Sequence, residues 1–98
     1  MTVRVGLLVT LQAKPGKAQA LAAFLESGRA LAQAEELTVT WYAFRIDEST
    51  YGIFDTFEGE EGRQAHLNGE IATALAKHGP DLLASDPDLR QVAILATK

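Results

Sequence analysis

Two side chains able to move a proton near neutral pH stand in one stretch of this chain: Asp55, inside the strand-like run TYGIFDTF, and His66, in EEGRQAHL. Ile53 and Phe57 flank Asp55 on the same strand face. Both are apolar, and desolvation by them disfavours the charged carboxylate and strengthens it as a general base. The structural alternative is a hydrogen bond to Tyr42 or to a backbone amide, since a buried carboxylate must find a partner. His66 lies just off the apolar stripe of its helix, with Glu70 one turn later as an orienting carboxylate or a plain surface partner. His78 closes its helix before Gly79-Pro80, where a cation complements the helix dipole.

Six of the seven aromatic residues fall between Trp41 and Phe57. A hairpin carrying them offers flat walls to an aromatic ligand, with Trp41, Tyr42, Phe44 and Phe57 as the lining, or else supplies core and interface area. Arg45, near its strand end, is placed to anchor an acidic substrate group, or to pair with Asp47 or Glu48 on the surface.

Other chemistries are disfavoured. With no cysteine there is no disulfide, thiolate ligand or thiol nucleophile. Two histidines far apart, with no other ligand grouping in register, make a poor metal site, and no glycine-rich nucleotide motif is present. No cofactor is expected. The formal charge of −4, with Lys and Arg scattered, gives no footprint for nucleic acid. No long apolar run or leader-like segment marks a membrane or export route, so a cytoplasmic location is expected.

The elements that position these residues follow from periodicity. From Val3 to Leu11 the odd positions are all apolar, a strand ended by Lys14-Pro15-Gly16. Lys17 to Ala34 repeats Leu21, Phe24, Leu25 and Leu31 at helical spacing, with Gly28 on the same stripe as the point of closest approach to the sheet. Thr38–Ile46 and Thr50–Phe57 read as a hairpin about Asp47-Glu48-Ser49. Pairing Ile46 with Tyr51 sets Phe44 opposite Ile53 and Tyr42 opposite Asp55. Acids at Glu58, Glu60 and Glu61 start a helix striped by Leu67, Ile71, Leu75 and His78, divisible at Gly69 and stopped by Gly79-Pro80. Leu89 to Ala96 is the last strand.

The order β-α-β-β-α-β predicts one domain over residues 1–98, an α+β ferredoxin-like split βαβ fold with both helices on one face of a four-stranded antiparallel sheet. Each face of the hairpin carries large apolar side chains, more than the helices can cover. A second sheet should therefore stack on the open face, giving a homodimer.

With these segments in view, the chain resembles the small antibiotic-biosynthesis-type monooxygenases of the dimeric α/β-barrel superfamily. The likeness spans nearly the whole length. It rests on the first strand running into Lys14-Pro15-Gly16 and on IFDTFEGEEGRQAHL from Ile53 to Leu67, in which Asp55, Phe57 and His66 hold the positions of the family pattern. The family usually has Glu where Asp55 stands and often Trp where Phe57 stands. The haem-degrading branch has Asn on the first strand, where this chain has Leu8, so the resemblance disfavours haem cleavage. The quinol-oxidising branch implies cofactor-free attack of dioxygen on a small aromatic substrate. Asp55 or His66 would then take a phenolic proton, and the electron-rich anion would meet dioxygen in a water-poor cavity. Two rival readings are a non-catalytic dimer that binds a small hydrophobic molecule or serves a stress response, and a purely structural dimerisation domain.

Overall fold

A computed structural model describes residues 2–98. The elements run β1 (Val5–Gln12), α1 (Ala18–Ala34), β2 (Thr38–Arg45), β3 (Thr50–Phe57), α2 (Glu60–Leu67), α3 (Glu70–Leu82) and β4 (Asp88–Ala93). The strands form one antiparallel sheet in the order β2-β3-β1-β4. This is the ferredoxin-like α+β arrangement.

The apolar odd positions of β1 point at the helices: Leu7 and Leu11 are fully buried and Val9 nearly so. Their cross-strand partners Asp55, Ile53 and Tyr51 share that face. Leu21, Leu25, Gly28 and Ala32 form the buried stripe of α1. A Cβ on Gly28 would stand 3.2 Å from the Trp41 ring, so the glycine lets α1 settle onto the β2 indole.

The hairpin register differs from the expected one by a single residue. Asp47 Oδ1 accepts from the backbone N–H of Ser49 (3.0 Å) and Thr50 (2.9 Å), and the N–H of Ile46 donates to Thr50 O (2.8 Å). The side-chain turn thus closes a three-residue loop and pairs Arg45 with Tyr51. A one-residue slip exchanges the faces of a strand. Trp41, not Tyr42, therefore lies opposite Asp55, and Tyr42 lies opposite Phe54 on the helix-free face.

Three boundaries also move. β1 begins at Val5 and β4 ends at Ala93. Gly79-Pro80 does not stop α3, because Pro80 lies in its last turn and the chain beyond is tied to the end of β1: Lys14 N–H donates to Leu82 O and Ala84 N–H to Gln12 O. His78 is therefore inside α3 rather than at its end, its ring centroid 5.5 Å from that of Phe24. Gly69 does separate α2 from α3.

Candidate functional site

The close approach of α2 to the sheet builds the site. Gly62 lies against Leu37 and Phe57, where a Cβ would be 3.0 Å from Leu37 O. One turn later the same helix face presents His66, so a position expected at the helix surface is only 7% exposed. Its ring tilts against Phe57 with centroids 5.4 Å apart.

His66 stands between two carboxylates. Nδ1 donates to Glu35 Oε1 at 2.7 Å, and Nε2 is 3.0 Å from Asp55 Oδ2. Glu35, not Glu70, is thus the orienting acid. It caps the C-terminus of α1, and its Oε1 also accepts from Thr38 Oγ1 at 2.7 Å. Gly69 makes room for it: a Cβ there would meet Glu35 Oε2 at 2.7 Å.

Burial, the largest influence, works against the charged imidazole. The short contacts to Asp55 and Glu35, and the charge of both, outweigh it and raise the His66 pKa to about 9. His66 is therefore an imidazolium at neutral pH and is not a free base. Asp55 is 0% exposed; its Oδ2 is paired with His66 Nε2, and its Oδ1 has no partner. Glu35 Oε2 and Trp41 Nε1 are likewise buried without partners. Buried polar atoms of this kind are uncommon, because each forfeits solvation without compensation.

Two spaces adjoin this cluster. A cleft of about 530 Å³ opens on the Glu35 side, with Leu31, Glu35, Leu37, Thr38, His66 and Gly69 in its wall. A narrower pocket of about 40 Å³, partly open to solvent, lies between α1, α3 and the hairpin, walled by Gly28, Leu31, Trp41, Ile53, Ile71 and Leu75. Leu31 belongs to both.

Asp55, His66, Trp41 and Phe57 thus gather on the helix-covered face, with His66 alone of the four in the wall of the larger cleft. Tyr42 and Phe44 do not join them. Tyr42 is 59% exposed on the opposite face, where the Phe44 ring covers Gly52. Arg45 lines a separate cleft beside Ala22 and Glu26. Glu35 escaped the sequence reading because only the tertiary fold brings the α1 terminus to α2. Arg63 escaped it too: this buried guanidinium donates to Gly6 O (3.3 Å) and Val92 O (3.4 Å) and pairs with Glu60, pinning α2 to β1 and β4. Among the described residues no group of three metal-ligating side chains occurs, and no helix is long and apolar enough to cross a membrane.

The fold places the chain among small ferredoxin-like α+β proteins of known structure. The NE2512 protein of unknown function from Nitrosomonas europaea is 49% identical, with 98% of this chain and 93% of that chain covered and a TM-score of 0.97. The chain belongs to its family. More distant structures share the fold. One from Chloroflexus aurantiacus is 20% identical over 97% of this chain and 96% of that one (TM-score 0.76), and one from Caulobacter crescentus is 18% identical over 96% and 92% (TM-score 0.81). Both are provisionally named antibiotic biosynthesis monooxygenases. No family model and no curated protein matches the chain.

Proposed function

We propose that this protein is a cofactor-independent monooxygenase of the antibiotic biosynthesis type, a cytoplasmic homodimer that oxidises a small phenolic or quinol-type aromatic. One observation carries the reading: an imidazolium, His66, clamped between Glu35 and Asp55 in the wall of a cleft large enough for such a ligand. The fold likeness to proteins provisionally named as monooxygenases supports it.

The substrate ring lies against Leu31 and Leu37, with its hydroxyl directed at the Glu35 carboxylate in the cleft wall. Glu35 takes the proton. The positive charge of His66, held from behind by Asp55, stabilises the resulting phenolate. Dioxygen then forms a bond to an electron-rich ring carbon, giving a hydroperoxide. Its O–O bond breaks, so that one oxygen remains as a carbonyl and the other leaves as water. That water carries the proton returned by Glu35 and the hydrogen displaced from the ring. Neither Asp55 nor His66 takes the phenolic proton, the role expected of them from the sequence: His66 stabilises charge, Asp55 positions it, and Glu35 is the group that meets the substrate, while Trp41 lies opposite Asp55 and Phe57 packs on the His66 ring.

The dimer uses the helix-free face, where Leu8, Phe54, Tyr42 and Phe44 have no helix above them. A second reading, a dimer that binds a small hydrophobic molecule without turnover, draws on the same clamp, since both His66 nitrogens are already engaged. Oxygen-electrode assays with a panel of naphthols and quinols separate the two. Uptake that is lost in Glu35→Gln supports the oxygenase, and ligand binding without uptake supports the rival.

A further inference from the structure

The cavity at Trp41 is too small for the aromatic substrate. Its volume is about 40 Å³, whereas the engineered apolar cavity that admits benzene measures ~150 Å³. It is also poor in partners for water. Phe24, Leu31, Ile53, Ile71 and Leu75 make most of its wall. The one hydroxyl there, Ser27 Oγ, already donates to Phe24 O at 2.6 Å. Only Trp41 brings an unpartnered buried donor, Nε1. A trapped water needs two to four polar partners, and this wall offers at most two, the Ser27 oxygen as an acceptor and the Trp41 N–H as a donor. The space persists because the wall residues Gly28 and Ala74 are small, and a Cβ on Gly28 would already crowd the Trp41 ring.

We infer that this cavity is a binding site for a small apolar diatomic gas, dioxygen, set one side chain, Leu31, away from the cleft at His66. The choice of dioxygen rests on the proposed oxygenation; the preference for an apolar gas rests on the size and chemistry of the wall alone. Dissolved dioxygen partitions into apolar surroundings, and a narrow, largely apolar pocket beside the substrate cleft concentrates it near where the phenolate forms. An aromatic substrate is kept out of the same space, so the two reactants do not compete.

The test uses the intact protein with methyl-labelled isoleucines, titrated with xenon under pressure and, separately, with dissolved dioxygen. The expected result is a saturable xenon shift and a dioxygen-induced relaxation enhancement at the Ile53 and Ile71 methyls, with methyls outside the cavity wall unaffected. Ala74→Leu, which fills the space, should abolish both and raise the KM for dioxygen in any quinol oxidation. A weak, unsaturable response spread evenly over all methyls would overturn the inference, and the wild-type titration decides this even if the variant does not fold. Gas binding at these methyls with no oxygen uptake on any quinol would instead retain the site and remove the oxygenase reading.

Discussion

Glu35 and His66, 31 residues apart in the chain, meet with Oε1 2.7 Å from Nδ1, and Asp55 completes the clamp 3.0 Å from Nε2. The arrangement joins the end of α1, the middle of β3 and the last turn of α2. A charge interior to the fold is tolerated only when it is paired, and here one cation answers two carboxylates. The same pairing that stabilises the fold sets the protonation state of the candidate site.

Stability should fall as the solution becomes alkaline. The folded His66 pKa, about 9, lies above the ordinary value of 6.5. The folded state therefore holds the proton more tightly, and its contribution is complete below pH 6.5 and disappears as pH rises through 9. The full loss is at most about 3 kcal/mol across that window. Urea midpoints measured from pH 6 to pH 9.5 should decline in the wild type more steeply than in His66→Gln. Parallel slopes would show that His66 is not charged in the fold.

Removing the outer carboxylate should release the imidazole. In Glu35→Gln the His66 titration midpoint, followed by the nitrogen shifts of its ring, should drop from about 9 toward the ordinary histidine range. Losing a charged partner of a buried group should cost roughly 1–3 kcal/mol in stability. An unchanged midpoint would mean that Asp55 alone holds the proton.

The contact between α1 and the indole is tight enough to be tested by volume. Gly28→Val should cost about 1–3 kcal/mol, because the added methyls meet Trp41 where a Cβ is already 3.2 Å away. Gly28→Ala should be nearly neutral, since the gain of about 1 kcal/mol in helix propensity offsets a mild clash. Thermal melts with Trp41 fluorescence read both; a valine variant as stable as the wild type would remove the proposed close approach.

Much of this was legible from patterning. The odd apolar positions of β1, the α1 stripe at Leu21 and Leu25 and the turn at Asp47 to Ser49 gave the element order, because each encodes its own burial. Asp55 and His66 stood out as ionisable residues amid apolar ones. Their partners did not, because pairing of Glu35 with His66 depends on how closely α2 docks, which Gly62 and Gly69 decide by the contacts they permit. The hairpin register turned on whether Asp47 capped a three- or four-residue loop, and that one bond moved Tyr42 away from Asp55 and brought Trp41 in.

Tyr42 and Phe44 offer a separate test of the proposed dimer. Tyr42→Glu with Phe44→Glu puts charge on the helix-free face and leaves the helix-covered core untouched. Sedimentation should give a dimer for the wild type and a monomer, or a dimer at least tenfold weaker, for the double variant. A monodisperse wild-type monomer at micromolar concentration would remove the dimer.

The most direct measurement of the central claim is oxygen consumption by the purified protein with naphthols and quinols, without added metal or flavin, in the wild type, Glu35→Gln and His66→Gln. The predicted result is substrate-dependent uptake of one dioxygen per quinone formed, reduced by at least about a hundredfold in both variants, the usual scale for losing a positioned acid-base or electrostatic group. Uptake equal in all three proteins would contradict the roles given to Glu35 and His66, and no uptake by the wild type across the panel would contradict the oxygenase itself.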